Sequence, residues 1–129
     1  MKRILFVAGI GIIILFLSSL FVVHSRIGHS VKENISFVQN KYPGTAEDAL
    51  ISFLLDENNP TKNRTHIAIW TLGQIQSEMA LPVLKEYYKN DPKGKTCYGK
   101  HDTELCQYEI YKAINAIEKG KLFSYARFK

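Results

Sequence analysis

Apolar residues fill the start of the chain without interruption. The 20 residues from Ile4 to Val23 include no charged side chain, Asn, Gln or Pro. As an α-helix rising about 1.5 Å per residue, such a run spans about 30 Å, the thickness of a bilayer's hydrocarbon core. The remaining hundred or so residues could hardly cover a buried core helix of this kind on all sides. The pattern therefore predicts an N-terminal transmembrane helix.

We interpret residues 1–26 as a membrane anchor, and a signal peptide cleaved near Ser25 is the alternative. The apolar run is longer than the roughly 7–15 residues usual in a signal peptide. Cleavage would yield a secreted protein, whereas retention yields a single-pass membrane protein. Lys2 and Arg3 precede the apolar run, while Arg26 and Lys32 follow it, so the charge bias is slight. We expect a cytoplasmic N-terminus and an extracytoplasmic C-terminal domain.

From residue 27 onward, apolar positions recur with the 3.6-residue period of α-helices. Alternation typical of strands is nowhere sustained, so residues 27–129 predict one all-α domain. Two capping boxes mark helix starts, Ser30 with Glu33 and Thr45 with Asp48. After Thr45, an apolar stripe at helical spacing is formed by Ala46, Ala49, Leu50, Phe53 and Leu54. Further helices are expected over 64–75 and 78–88 and from Thr103 to Gly120, with a short amphipathic piece over 122–128. We expect six short helices paired as three hairpins.

Internal similarity indicates that the hairpins are related. Residues 49–54 and 80–84 align at a spacing of 31, and residues 70–75 and 112–117 align at a spacing of 42. The stretch Arg64-x-x-x-Ala68-x-x-x-Leu72-Gly73-x-Ile75, followed by Ala80-Leu81-Pro82-x-Leu84, resembles the short HEAT-like repeats of the phycobilisome-lyase type. The match covers residues 64–89 and is degenerate in the flanking hairpins, where Ile114-Asn115 replaces Leu-Gly. Gln76 and Ser77 also depart from the usual Gly and Asp at the turn.

The resemblance implies a small α-α superhelix in which stacked hairpins share one core, rather than an unrelated helical bundle. It implies that the core of the clearest repeat consists of Ala68, Leu72, Gly73, Ile75, Ala80, Leu81, Pro82 and Leu84. Bilin lyase activity is not implied, because it belongs to longer members of the family and no residue here marks it.

The expected function is binding of a protein partner or scaffolding in the cell envelope. The concave face of such a superhelix would be lined by residues 46–57, residues 78–89 and the C-terminal piece. No serine-nucleophile turn, phosphate-binding glycine loop or paired-carboxylate motif occurs, so we predict no catalytic residue and no cofactor. The alternative is an envelope enzyme or enzyme-accessory subunit, which a deep cleft gathering His66, His101 or several carboxylates would favour.

Basic residues exceed acidic ones, 17 to 12, and the net charge is +5. They are concentrated toward the C-terminus, at Lys85, Lys89, Lys93, Lys95, Lys100, Lys112, Lys119, Lys121, Arg127 and Lys129. Ordinary solvated surface explains such a set, and the functional alternative is an anionic surface: lipid headgroups, an acidic partner or an envelope polymer. A nucleic-acid partner is not expected, because no recognition motif is present.

The two cysteines, Cys97 and Cys106, flank a glycine-containing loop. A disulfide between them would fit an oxidising compartment and would add roughly 2.5–3 kcal/mol by loop closure. Unlinked thiols are one alternative, and a metal held by these cysteines with His101 is another. Structural zinc requires four ligands, so we predict no metal site. Asn34 and Asn63 begin glycosylation sequons, which matter only in a eukaryotic secretory pathway.

Overall fold

The computed structural model describes residues 2–120 and 124–129, with side chains described from residue 9 onward. In this part of the chain 72% of the structure is helix and there are no strands, which confirms the predicted all-α class. The chain divides into two compact units, Met1–Ser30 and Val31–Lys129.

The long helix α1 covers Lys2–Gln39, and its apolar part belongs to the first unit. All side chains from residue 9 to residue 23 are exposed, including Leu15 and Phe21, which are more than two-thirds exposed. Ser18 and Ser19 donate their hydroxyl protons to the carbonyls of Leu15 and Phe16, at 2.9 and 2.7 Å. Among the described helices, α1 is the one long and apolar enough to span a membrane.

The predicted helix start at Ser30 is wrong, because Ser30 lies inside α1. No proline interrupts the residues before it, and the hydrogen-bonded backbone of the apolar helix continues past it. A serine followed three residues later by glutamate is therefore compatible here with a helix interior. The helix ends at Gln39, and the Tyr42 amide donates to the Val38 carbonyl at 2.8 Å as the chain turns.

Helix α2 (Ala46–Leu55) begins at the predicted capping box. The Thr45 hydroxyl accepts the Asp48 N–H at 3.2 Å, and the Asp48 carboxylate accepts the Thr45 N–H at 3.3 Å. Its buried residues are those of the predicted apolar stripe, Ala46, Ala49, Leu50, Phe53 and Leu54.

The next helical rod begins at Thr61, directly after Pro60, rather than at Arg64. It consists of α3 (Thr61–Asn63), a π-helical segment (Arg64–Ile69) and α4 (Trp70–Ile75). Helical backbone angles at Arg64 and Trp70 keep the rod continuous. The predicted break follows at Gln76, whose left-handed conformation (φ 54°) ends α4.

The predicted helix over residues 78–88 is divided into two parts, a 3₁₀ turn (Glu78–Ala80) capped by Ser77 and helix α5 (Leu81–Tyr87). After a loop with a 3₁₀ turn at Lys95–Cys97, helix α6 covers Gln107–Lys119 and ends at Gly120, as predicted. A final 3₁₀ turn covers Ala126–Phe128. The predicted amphipathic piece begins at Leu122, outside the described residues.

The predicted helix start at Thr103 is wrong. The amides of Thr103 and Glu104 donate to the Lys100 carbonyl at 2.9 Å, so they close a turn. Cys106 precedes α6 as its N-cap, and its own amide donates to the Thr65 hydroxyl at 3.3 Å. A long-range hydrogen bond thus accompanies the start of α6.

The core of the second unit is shared by all its main helices. Helix α6 packs against α4 and α5, and α2 packs against the π-helical segment and α4. Val31 and Val38 of α1 are completely buried, and Tyr125 is buried at the other end of the chain. The Tyr125 amide donates to the Gln74 carbonyl at 3.1 Å, which attaches the C-terminal segment to α4.

Candidate interaction site

Most residues of the predicted repeat core are buried. Ala68, Leu72, Gly73, Ile75, Ala80 and Leu84 are buried, whereas Leu81 is half-buried and Pro82 is exposed. Pro82 lies in the first turn of α5, where the missing N–H removes no hydrogen bond of the helix. Pro82 therefore belongs to the start of helix α5 and not to the buried core.

Gly73 of α4 packs directly against Ala113 of α6. A Cβ placed on Gly73 would lie 2.9 Å from the Cα of Ala113 and 3.0 Å from its Cβ. Real Cβ atoms do not approach a neighbouring backbone so closely, so glycine is required for this helix pair.

Gln76 occupies a position that glycine would fill more easily. Its backbone is left-handed, which costs energy in a residue with a Cβ. Its side-chain amide donates to the Ala116 carbonyl near the end of α6, at 3.1 Å. This hydrogen bond gives a physical reason for glutamine at a turn where the resembled repeats carry glycine.

The structure brings Cys97 and Cys106 together. Their Sγ atoms are 3.3 Å apart, both side chains are buried, and both are free thiols. Burial raises the pKa of the Cys106 thiol, and the neighbouring Cys97 raises it further, so the neutral thiol is favoured at neutral pH. The Gln107 N–H donates to the Cys97 sulfur at 3.3 Å. The covalent bond between the two cysteines stays a prediction.

His66 and His101 are neighbours, with ring centroids 6.3 Å apart. The Nδ1 atom of His101 is buried and has no hydrogen-bond partner. Within residues 2–120 and 124–129, no three His, Cys, Asp or Glu side chains are grouped so as to hold a metal ion. The candidate set Cys97, His101 and Cys106 therefore does not form such a group.

A polar network that the sequence reasoning missed joins the end of α1 to the end of α2. The Tyr42 hydroxyl donates to the Asp56 carboxylate, and Asn59 donates to the Tyr42 oxygen at 2.9 Å and to the Phe53 carbonyl at 2.9 Å. The hydrogen bond from Tyr42 holds the pKa of Asp56 well below its usual range, with help from the Asn58 amide. Lys41 donates to both Asp56 and Asn59.

Arg64 is also unexpectedly buried, at 7% exposure. Its Nε donates to the Leu54 carbonyl at 2.7 Å, in the last turn of α2, and its guanidinium lies 5.8 Å from the Tyr87 ring centroid. A cation at a helix C-terminus is stabilised by the negative end of the helix dipole. The resemblance placed Arg64 in its motif, but only the fold shows this contact.

The asparagine of the first glycosylation sequon, Asn34, forms a side-chain hydrogen bond within the fold. The Asn34 side-chain nitrogen donates to the hydroxyl of buried Thr71 at 2.9 Å, whereas Asn63, the last residue of α3, is half-buried. Glycosylation attaches to that asparagine nitrogen, so it would break the Asn34 contact.

Exposed apolar side chains occur on the elements predicted to line a binding face. Leu55 of α2 is 49% exposed and Met79 of the 3₁₀ turn before α5 is 56% exposed. These two elements pack against each other. The predicted third element, the C-terminal piece, contributes half-buried Phe128, which stacks on buried Tyr125 at 6.4 Å.

The described clefts are open and contain no histidine. One of about 290 Å³ is lined by Lys32, Ile35, Ser36, Gln39, Asn40 and Phe128. Another, of about 40 Å³, lies beside half-buried Trp70 and is lined by Gly73, Gln74, Glu109, Lys112 and Ala113. Neither cleft is lined by both His66 and His101, the arrangement that would favour an enzyme.

Comparisons of the chain with protein-family models, with curated proteins and with solved structures give no match.

Proposed function

We propose that the chain is a membrane-tethered helical-repeat module that holds a protein partner in the cell envelope. The observation that carries the proposal is the contrast between its two units. The first exposes an uninterrupted apolar surface from residue 9 to residue 23, which a bilayer would cover. The second has its own buried core, including completely buried Leu50, Leu72 and Ile110.

The repeat arrangement is HEAT-like in this proposal, with three hairpins sharing the core. Two observations support it: most residues of the predicted repeat core are buried, and Gly73 lies against α6 as close helix packing requires. A module of this kind uses an extended face rather than a deep pocket.

The proposed partner face contains Leu55 and Met79. Exposed apolar side chains on adjoining elements can supply the apolar centre of a protein interface. In the proposed topology the N-terminus is cytoplasmic and this face is extracytoplasmic. The slight charge bias supports that orientation, as does the proximity of the Cys97 and Cys106 sulfurs, which an oxidising compartment could link.

Site-directed photo-cross-linking in native membranes tests the proposal. Leu55 and Met79 are replaced, one at a time, by p-benzoylphenylalanine in the full chain. Lys62 and Lys119, which are exposed elsewhere, serve as matched control positions. We expect one adduct of the same mass from both test positions and none from the controls. No adduct from either test position, or the same adducts from all four, would contradict the proposed binding face.

A further inference from the structure

The loop that follows α5 has a fixed backbone. The Gln107 side chain, which is buried, accepts the Lys89 N–H at 2.7 Å and donates to the Tyr87 carbonyl at 3.2 Å. The Asp91 carboxylate accepts the backbone N–H of Thr96 at 2.7 Å and its hydroxyl proton at 2.9 Å. The loop is thus fastened both to the start of α6 and within itself.

Close packing at Gly94 fixes the middle of the same loop. Gly94 has a positive φ of 64°, and a Cβ there would lie 3.0 Å from the Cβ of Tyr108 and 3.3 Å from the Cys97 sulfur. A side chain at this position would be strained and would displace its neighbours. The loop therefore presents its exposed side chains from a defined backbone.

These exposed side chains are mainly cationic. Residues 89–100 contain four lysines, Lys89, Lys93, Lys95 and Lys100, and one acidic residue, Asp91. Lys100 pairs with Glu104 at 3.5 Å. In the part of the chain that the structure describes, Lys89, Lys93 and Lys95 take part in no ion pair.

In the described part of the chain, Asp91 forms no ion pair with any of these three lysines. Its carboxylate is directed into the loop, where the Thr96 backbone N–H is the main cause of a pKa below the usual range. The carboxylate is thereby kept ionised while its oxygens are occupied by loop donors. The three lysines, which are exposed, face solvent with their charge available. We call Lys89, Lys93 and Lys95 the lysine loop.

Exposed tyrosines lie beside the lysine loop. Tyr98 is 87% exposed, and on α6 Tyr108 and Tyr111 are 45% and 36% exposed. Tyr111 stacks on Tyr88 at a centroid distance of 6.2 Å, and Tyr108 packs against the loop at Gly94. Tyrosine is enriched in protein–protein interfaces, because it supplies contact area and a hydrogen-bonding group at low entropic cost.

We propose that the lysine loop, with Tyr98, docks an acidic segment of the protein partner. The inference depends on the proposed binding function and names the chemistry of its partner. Three unpaired cations in seven consecutive residues provide charge complementarity to a carboxylate-rich segment. Tyr98, which is 87% exposed, adds contact area and a hydrogen-bonding group beside these cations. Met79 of the proposed partner face precedes the N-terminal end of α5, and the loop follows its C-terminal end. A partner that spans α5 would contact both.

Binding of fluorescein-labelled poly-L-glutamate tests this inference. The full chain is reconstituted in phosphatidylcholine nanodiscs, and fluorescence anisotropy gives the Kd at low and at moderate salt. The test variant is Lys89→Gln/Lys93→Gln/Lys95→Gln. The matched control, Lys62→Gln/Lys119→Gln/Lys129→Gln, removes the same charge from exposed positions elsewhere. Circular dichroism verifies that both variants keep their helices.

We expect the lysine-loop variant to raise the Kd about tenfold or more, and the control variant to change it less than about twofold. The affinity of the unchanged chain should also fall as salt increases, because these charges are exposed and screened. Tyr98→Ala should weaken binding in the same direction. Equal effects of the two triple variants, or no binding by the unchanged chain at low salt, would overturn the inference.

Vesicles of phosphatidylglycerol provide the competing arm. If they bind through the lysine loop while poly-L-glutamate does not, the loop recognises lipid headgroups and the inference is wrong. Failure here is distinguishable from failure of the proposed function. Adducts from p-benzoylphenylalanine at positions 55 and 79 would persist if only the lysine-loop inference failed. Absence of these adducts while the three loop lysines are intact would refute the function itself.

Discussion

Replacing Gly73 by valine should destabilise the folded unit, because α4 and α6 leave no room for a side chain there. Carbon atoms in contact normally lie about 3.5–4.0 Å apart, whereas a Cβ on Gly73 would lie 2.9 Å from the Ala113 Cα. The obstructing atom belongs to the backbone of α6, so rotation of a side chain cannot relieve the overlap. The two helices would have to move apart.

Two effects of opposite sign determine the size of this change. Overpacking costs about 1–3 kcal/mol, and the two further methyl groups of valine place it at the upper end. Replacing glycine within a helix returns a few tenths of a kcal/mol to about 0.5 kcal/mol, because glycine has the lower helix propensity. We expect Gly73→Val to lower the free energy of unfolding by about 2–3 kcal/mol net.

Urea unfolding of the full chain in detergent measures this change. Trp70, the single tryptophan, lies in α4 one turn before Gly73 and reports the transition by fluorescence. The control is Glu86→Val, an exposed position on α5 where the change should stay within about 0.5 kcal/mol. An unfolding midpoint for Gly73→Val equal to or above that of the unchanged chain would refute the close packing of α4 on α6.

Three further predictions concern buried packing, pH and the cysteines. Leu72→Ala should lower the free energy of unfolding in urea by about 2–5 kcal/mol, because Leu72 is completely buried. The control Leu55→Ala should lower it much less, because Leu55 is half-exposed. The low pKa of Asp56 stabilises the fold above the unfolded pKa of about 3.9. This stability is lost as pH falls toward the folded pKa. In acid unfolding series, the difference in free energy of unfolding between the unchanged chain and Asp56→Asn should therefore shrink. A difference that grows as pH falls would contradict this prediction. If the domain is translocated, a disulfide should link Cys97 and Cys106. In samples that are acid-quenched and denatured, both should then label with maleimide only after reduction. Full labelling without reductant would indicate a cytoplasmic domain.

Local sequence signals predicted the elements whose ends depend on neighbouring residues. Thr45 and Asp48 cap α2 reciprocally, and Gly120 ends α6, because caps and left-handed turns involve only residues close in sequence. The buried stripe of α2 was predicted for the same reason. Ser30 shows the limit of such signals, since the same residue pattern is found inside a helix when the preceding segment is already helical.

Long-range contacts account for what the sequence did not predict. Gln107 joins the end of α5 to the start of α6, and Cys106 precedes α6 while donating to Thr65, which is 41 residues earlier. The burial of Arg64 depends on the last turn of α2. Spacing along the chain contains no information about such partners. The proximity of Cys97 and Cys106 could be predicted because a short loop joins them.

The central claim is that an apolar helix tethers a separately folded helical unit to a membrane. Alkaline carbonate fractionation of the full chain and of a chain lacking residues 1–26 tests it most directly, with circular dichroism of the shortened chain. We predict that the full chain stays in the membrane pellet and that the shortened chain is soluble and helical. Extraction of the full chain by carbonate, or a shortened chain that stays in the pellet or lacks helical signal, would contradict the account.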